Sequence, residues 1–222
     1  MKKGFTLAEI LVTLGIVGVV AAMTIPHIQT SVLKQQVGPR LMRAINTIEN
    51  AIQLSFTQED VNKFYEFSNK NVTELFEEYV EPVMKGSKGS FSSFKYYTNF
   101  DQSSSNHIQV TTSAKIFTTP DGMQFFGPTS GSLSTCTGSK CTKYFYIDVN
   151  GNSTPPNALG RDLFQMLLME DGSVVAKGAE NDWTTGATSK ASKTCNKTEV
   201  KNNGYYCAGA IYDNGGKVTY KW

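Results

Sequence analysis

The stretch FTLAEILVTLGIVGVVAAMTI, from Phe5 to Ile25, decides the fold of this chain. It carries a single charged side chain, that of Glu9, and the next charge along the chain is Lys34. As a helix, about 20 apolar residues span roughly 30 Å, which is the thickness of a bilayer core. Lys2 and Lys3 precede this stretch and place the N-terminal end on the cytoplasmic side. The sequence therefore predicts a single-pass membrane helix with the rest of the chain outside.

Two simpler interpretations explain less of this segment. A secretory signal also has a basic end and an apolar run, but it does not carry a carboxylate at the start of that run. Ala21 and Ala22 are followed by Met23, which leaves no clear small-x-small cleavage site. A plain membrane anchor leaves Glu9 unexplained, because a charge within the membrane costs a few kcal/mol and usually has a partner.

The residues from Gly4 to Glu9, GFTLAE, followed by an apolar run that ends at Ile25-Pro26, resemble the N-terminal signature of type IV pilins and type II secretion pseudopilins. The resemblance covers residues 1–26. It implies that a prepilin peptidase cleaves after Gly4 and that the new N-terminus, Phe5, is methylated. Ala8 departs from the family pattern, in which a bulkier aliphatic residue is commoner.

The resemblance also implies a role for Glu9 in assembly. Methylation keeps the positive charge of the ammonium on Phe5. The carboxylate of Glu9 can neutralise the ammonium of a neighbouring subunit as helices stack into a fibre, and pairing offsets the cost of burying each charge alone. We therefore expect Glu9 to set the register of subunits in a fibre.

These observations predict three segments: a leader peptide at residues 1–4, a transmembrane and assembly helix at 5–33, and an extracytoplasmic domain at 34–222. By resemblance, the partners are a prepilin peptidase, an inner-membrane assembly platform and like subunits in a helical fibre. The chain is expected in the bacterial inner membrane before assembly and in a periplasmic or extracellular fibre afterwards.

A stripe of apolar residues continues the helix beyond the membrane. Its members recur at helical spacing: Leu41, Ile45, Ile48, Ile52 and Phe56. One long helix is predicted from about residue 5 to 55, with bends at Pro26 and Pro39 and a kink or brief unwinding at Gly38-Pro39. A short helix is expected over 61–67, and a second helix over 71–80 with a capping box of Asn71 and Glu74.

From about residue 86 the pattern changes to short strands and turns. Residues 86–90 and 103–105 are predicted loops, and the predicted strands are 108–119, 123–126, 144–149, 163–169 and 173–176. The final segment, 205–220, is expected to form a hairpin. A helix followed by antiparallel strands is an α+β arrangement. It is also the pilin architecture, a long helix laid across a small antiparallel sheet.

All four cysteines, Cys136, Cys141, Cys195 and Cys207, lie beyond the membrane segment, where disulfides are expected. Of three pairings we favour the sequence neighbours, 136 with 141 and 195 with 207. Pilins often carry a disulfide-closed loop near the C-terminus, which the second pair resembles. A zinc site is disfavoured because there is no C-x2-C pair.

Oxygen-bearing side chains alternate at Asp148, Asn150 and Asn152, as they do in a calcium loop. The glycine and closing glutamate of an EF-hand are missing. The following stretch, to Asp162, loosely resembles a loop of major pseudopilins, some of which bind calcium. We favour the simpler interpretation, a turn satisfied by Asn and Asp side chains, and keep calcium as the alternative cofactor.

No catalytic motif is present: the sequence has no G-x-S-x-G, no H-E-x-x-H and no phosphate-binding Gly-rich loop. The net charge of +2 over 222 residues gives no general affinity for nucleic acid. We predict a non-enzymatic structural subunit of a pilus or pseudopilus. The alternatives are a minor, tip-located subunit that binds a surface ligand or DNA, and an anchored domain that never polymerises.

Overall fold

The computed structural model describes residues 6–84, 86–90, 94–97, 107–110, 115–128, 134–137, 140–184, 195 and 204–220. The chain divides into two compact units, Met1–Gln36 and Val37–Trp222. The first helix, α1 (Leu7–Glu59), begins in the first unit and ends in the second. The long N-terminal helix is therefore confirmed, and it ends four residues later than predicted.

In the first unit, α1 exposes its large apolar side chains. The segment Leu7–Ile25 has a mean hydropathy of 2.2 and none of it is buried. By length and composition it can cross a membrane. None of the described residues of this unit covers its surface, which lipid or other chains could bury.

In the second unit, α1 buries the predicted stripe. Leu41, Ile45 and Ile52 are at most 2% exposed, and Val37 and Ala44 extend the stripe. The predicted unwinding at Gly38-Pro39 is wrong, because helix runs through both positions. A proline inside a helix costs about 3 kcal/mol, whereas each flanking apolar side chain gains about 1.5–3 kcal/mol on burial. Bends at Pro26 and Pro39 stay a prediction.

The segment after α1 consists of turns, so the short helix predicted over 61–67 is wrong. Asp60 and Glu66 both have φ of +53°, a left-handed conformation that interrupts a helix. Phe64 and Phe67 are buried and their rings stack, at a centroid distance of 5.7 Å. Their i, i+3 spacing imitates a helical face, although the backbone between them is turned.

The second helix is confirmed and begins with the predicted capping box. Glu74 N–H donates to Asn71 Oδ1 at 3.0 Å, and Asn71 N–H donates to Glu74 Oε2 at 2.7 Å. Helix α2 (Val72–Leu75) continues as a wider π-helical stretch, Phe76–Val80. Phe76 packs edge-to-face on Phe145 of the sheet, at 5.3 Å between ring centroids.

The described residues contain nine strands, and all of their pairings are antiparallel. They are β1 (Ser87–Ser90), β2 (Phe94–Tyr97), β3 (His107–Val110), β4 (Lys115–Thr118), β5 (Gln124–Phe126), β6 (Ser134–Thr137), β7 (Lys140–Asp148), β8 (Leu163–Met169) and β9 (Val174–Ala176). The main sheet has the order β1-β4-β5-β7-β8-β9, with β6 also on β7, and β2 pairs with β3 separately.

Most of the strands predicted before residue 180 are confirmed, whereas one predicted strand and one predicted loop differ. The predicted strand 108–119 is replaced by β3 and β4, with 111–114 outside the described residues. The segment 87–90, predicted as a loop, is strand β1. It pairs with β4 through backbone hydrogen bonds, which do not depend on the hydrophobicity of the side chains. The predicted loop 103–105 lies outside the described residues.

The hairpin of β8 and β9 joins the sheet to α1. Val174 N–H donates to Glu49 Oε1 at 2.8 Å. At the turn, Gly172 has φ of +81°, and a Cβ there would lie 2.5 Å from Ile52 and 2.9 Å from Phe56. The turn can approach the helix this closely only because Gly172 has no side chain. The structure is α+β and pilin-like, a long helix followed by an antiparallel sheet.

The predicted C-terminal hairpin is wrong. The segment forms helix α3 (Cys207–Asp213), followed by a turn at 214–216. Five successive residues of α3, 207–211, are buried, whereas a half-buried strand would alternate. The tyrosines near this segment favour strands. The small residues Ala208, Gly209 and Ala210, however, let the helix pack closely against the backbone that follows β9.

Candidate functional site

The N-terminal end of α1 is closed by Thr6 and Glu9. Glu9 Oε2 accepts from the Thr6 backbone N–H at 2.8 Å and from its hydroxyl at 2.9 Å, and Glu9 N–H donates to Thr6 Oγ1 at 3.3 Å. This is a reciprocal capping box. The carboxylate thus binds the first turn of its own helix, a role that the sequence analysis missed although the T-x-x-E spacing signals it. The predicted processing residues, Gly4 and Phe5, lie outside the described residues.

The apolar surface beside this cap is continuous. Leu7, Leu11 and Leu14 are 61–78% exposed, and the exposure continues through Ile25 on every side of the helix. Glu9 is the only charged residue in this surface. A helix that is apolar all round needs an apolar environment on all sides, which lipid or a bundle of identical helices provides.

The C-terminal pair of cysteines is joined as predicted. Cys195 and Cys207 form a disulfide with a Cα–Cα distance of 5.1 Å. Cys207 is the first residue of α3, which is fixed to the end of the sheet where Gly209 N–H donates to the Lys177 carbonyl at 3.0 Å. The backbone of Gly209 lies against that of Gly178, so close that a side chain on Gly209 would overlap it. The disulfide therefore links Cys195 to a helix that packs against the end of the sheet.

The other cysteines lie opposite each other in the backbone register. Cys136 of β6 pairs with Cys141 of β7. Their side chains are outside the description, so the second disulfide stays a prediction.

The loop between β7 and β8 is organised by two buried aspartates. Asp148 Oδ1 accepts from the N–H groups of Asn150, at 3.1 Å, and Gly151, at 2.8 Å, and its Oδ2 accepts from the Tyr96 hydroxyl at 2.7 Å. Asp162 accepts from the N–H groups of Asn157 and Ala158, both at 2.7 Å. Both carboxylates are fully buried. This arrangement is the predicted turn satisfied by aspartate side chains, to which the sequence analysis did not assign Tyr96 or Asn157.

The same loop has raised carboxyl pKa values. Burial, together with the charge of the neighbouring Asp162 carboxylate, raises the pKa of Asp148 to about 7. Burial likewise raises the pKa of Asp162 to about 6. Each charge is disfavoured by desolvation and by the other charge, which a bound cation would relieve.

Further oxygen atoms face this loop without a partner. Among the described residues, Asn150 Oδ1 and Asn157 Oδ1 are buried and accept no hydrogen bond. Asn152, predicted as a ligand, uses its backbone instead: its N–H donates to Gln124 Oε1 at 3.0 Å and its carbonyl accepts from Asn157. In the part of the chain that the structure describes, no three His, Cys, Asp or Glu side chains gather as metal ligands.

Comparison with protein families identifies the N-terminal segment. Residues 1–25 match the family described as "Prokaryotic N-terminal methylation motif". This motif is the type IV pilin and pseudopilin signature, and the family that carries it consists of structural subunits. Comparisons with curated proteins and with solved structures gave no match.

Proposed function

We propose that this chain is a structural subunit of a type IV pilus or a type II secretion pseudopilus. It is cleaved after Gly4, methylated at Phe5 and polymerised through the helix at residues 5–33. The observation that carries the proposal is the methylation motif over residues 1–25, together with an apolar helix that is exposed on all sides. Packing such helices together in a fibre replaces the lipid that covers each of them before assembly.

Glu9 has two roles in this scheme, one before assembly and one after. In the single chain its carboxylate caps α1 through Thr6. In the fibre it pairs with the ammonium of a neighbour's Phe5, because a carboxylate without a cation would be strongly unfavourable in an apolar fibre core. The fibre thus requires the charge of Glu9, whereas the cap requires only its hydrogen bonds.

Two variants separate these roles. Glu9→Gln keeps a side chain that can close a capping box but removes the charge. Thr6→Ala removes the cap hydroxyl, at a cost of about 0.5–2 kcal/mol of helix stability, and keeps the carboxylate. We expect Glu9→Gln to enter the membrane and to be lost from fibres sheared off the cell, while Thr6→Ala still assembles. Immunoblots of the sheared and membrane fractions measure both.

The reverse pattern, with Thr6→Ala lost from fibres and Glu9→Gln retained, would assign Glu9 to capping alone. If both variants assemble as well as the unaltered chain, polymerisation does not depend on Glu9 and the proposed mechanism is wrong.

The membrane topology is part of the proposal. Residues 5–33 lie in the inner membrane with the N-terminus cytoplasmic, which Lys2 and Lys3 support. The domain at 34–222 lies outside the cytoplasm, where the Cys195–Cys207 disulfide is stable. A prepilin peptidase and an inner-membrane assembly platform are the partners. The number of copies in sheared fibres distinguishes a major subunit from a minor, tip-located one.

Calcium binding at the β7–β8 loop is a separate proposal. Asp148 and Asp162 supply buried carboxylates, and Asn150 and Asn157 supply the partnerless oxygens. Hard oxygen ligands of this kind suit Ca²⁺. The ion would offset the repulsion between the two carboxylates and stabilise the loop.

A further inference from the structure

Within the described part of the second unit, the exposed large apolar side chains fall in one stretch of the sequence. Among the described residues of 37–222, the exposed ones are Leu54, Val61 and Tyr65, at 49%, 39% and 67% exposure. Val61 and Tyr65 line a common cleft with the surrounding residues of the turns after α1. Exposed apolar side chains that cluster in this way mark an interaction site more often than single ones do.

Acidic side chains surround this apolar stretch. Glu59, Asp60 and Glu66 are exposed, and Asp60 and Glu66 line the same cleft as Tyr65. Lys63, also in the cleft, is bridged to Glu170 at 3.2 Å. We call the surface formed by Glu59, Asp60, Val61, Tyr65 and Glu66 the distal surface. Its own charges are three carboxylates, and the Lys70 ammonium lies 5.6 Å from the centroid of the Tyr65 ring while it is paired with Glu78.

An oppositely charged surface lies earlier on the same helix. Between Ile10 and Ile48 the sequence has basic residues but no acidic ones. Arg40 and Arg43 are exposed and lie one helical turn apart. Arg43 keeps 70% of its side chain exposed while it contacts Asp121 at 3.2 Å, and such a solvated ion pair is easily rearranged. We call Arg40 and Arg43 the proximal surface.

We propose that the distal surface of one subunit docks on the proximal surface of a second copy of this chain. This inference rests on the proposed function, because it describes a contact within the fibre. Two different, complementary patches on one molecule form a head-to-tail contact, and repetition of that contact generates an open helical filament. Complementary charge fixes the register of such a contact and disfavours other partners.

The two surfaces also define a stagger. Arg43 and Glu59 are 16 residues apart on α1, which corresponds to about 24 Å along the helix axis. A neighbour with a parallel α1 must therefore be displaced by about that distance to bring Glu59 of one copy to Arg43 of the other.

Cysteine crosslinking tests this stagger directly. A disulfide requires Cα atoms within about 7 Å, so cysteines at 43 and 59 of a single chain cannot bond to each other. We expect fibres of the double variant Arg43→Cys, Glu59→Cys to give a ladder of covalent multimers on oxidation. Each single variant gives no ladder, since a chain with one added cysteine cannot extend beyond a dimer. The pair Arg40→Cys, Asp60→Cys samples the adjoining register.

Charge reversal supplies a second test with a matched control. Glu59→Lys should lower the yield of sheared fibres at least fivefold, and adding Arg43→Glu should restore it. Glu180→Lys makes the same change of charge at an exposed residue outside both surfaces and should leave the yield unchanged.

The outcomes separate this inference from the proposed function. If the unaltered chain forms fibres but neither cysteine pair gives a ladder and Glu59→Lys assembles normally, the docking inference is wrong and the proposed function stands. Crosslinks to a protein of a different mass would also overturn docking between copies. If the unaltered, processed chain forms no fibre, the proposed function itself fails.

Discussion

At the scale of single residues, the two aspartates of the β7–β8 loop combine a structural role with an electrostatic cost. Asp148 fixes the start of the loop and Asp162 its end through backbone N–H donors. Tyr96 adds a hydroxyl donor from β2, and Arg161 lies beside Asp162 as the nearby cation. Burial nevertheless raises the pKa of both carboxyl groups, so the loop is held by groups that resist ionisation.

This predicts an unusual dependence of stability on pH. A carboxyl whose pKa is about 7 in the folded chain binds a proton that the unfolded chain releases near the ordinary aspartate pKa of 3.8. The contribution of Asp148 to stability is therefore full below about pH 4 and is lost as the pH rises through about 7. Without calcium, we expect the melting temperature of the protein to fall between pH 5 and pH 8 as the carboxyl group of Asp148 ionises.

Calcium bound as proposed would reverse that loss, since the ion would pair with the ionised carboxylates. We expect added Ca²⁺ to raise the melting temperature more at pH 8 than at pH 5, and a chelator to remove the gain. Asp148→Asn should weaken the dependence of the melting temperature on pH and on Ca²⁺, because an amide does not ionise. If added Ca²⁺ does not change the melting temperature at pH 8, calcium does not bind this loop. The two aspartates then serve only as hydrogen-bond acceptors for the loop backbone.

At the scale of elements, the helices and strands that could be predicted are those whose own residues carry a clear apolar pattern. The long α1 and the hairpin from Leu163 to Ala176 have strong apolar periodicity and clear turn residues, and both are found. Helix α3 was missed because its aromatic neighbours favour strands locally. Its helical form depends on tertiary contacts, the bond to Cys195 and the close approach of Gly209 to Gly178. The disulfide was expected from the sequence, but the close approach of the two glycines is not visible in it.

The candidate site residues likewise divide into those that a local sequence pattern could predict and those that depend on tertiary contacts. The motif from Gly4 to Glu9 and the set of oxygen-bearing residues near Asp148 could be predicted because they are short and contiguous in sequence. Tyr96 could not, since 52 residues separate it from Asp148, its hydrogen-bond partner. Tertiary packing brings these distant residues together, since Tyr96 lies in a buried cluster with Phe126 and Tyr146.

One packing contact of α1 can be tested with a single methyl group. Gly38 is buried, and a Cβ there would overlap the carbonyl oxygen of Gly216 in the turn after α3. Gly38→Ala gains up to about 1 kcal/mol in helix propensity, but overpacking costs about 1–3 kcal/mol. We expect a net loss in the free energy of unfolding, measured by urea titration of the detergent-solubilised chain.

Gly18→Ala is the matched control, because it makes the same change at a helical glycine with no atom within 4 Å. It should leave the unfolding of the second unit unchanged. A Gly38→Ala variant more stable than the unaltered chain would show that the turn at Gly216 does not rest on α1.

At the scale of the whole molecule, the average composition hides two populations. The chain is 40% hydrophobic, yet the first unit exposes its apolar residues and the second buries most of them. Charge is divided as well: cleavage after Gly4 would remove two of the 21 basic side chains and leave 19 basic against 19 acidic. The net charge of +2 is therefore that of Lys2 and Lys3, which the proposed topology places on the cytoplasmic side.

The most direct test of the central claim is the intact mass of the subunit recovered from sheared surface fibres. We predict the mass of residues 5–222 with one methyl group in place of a hydrogen, with that methyl group on Phe5 in the N-terminal peptide and the cysteines reduced. An intact leader at residues 1–4 in fibres, or a chain that is never found in fibres and remains unprocessed in the membrane, would contradict the account.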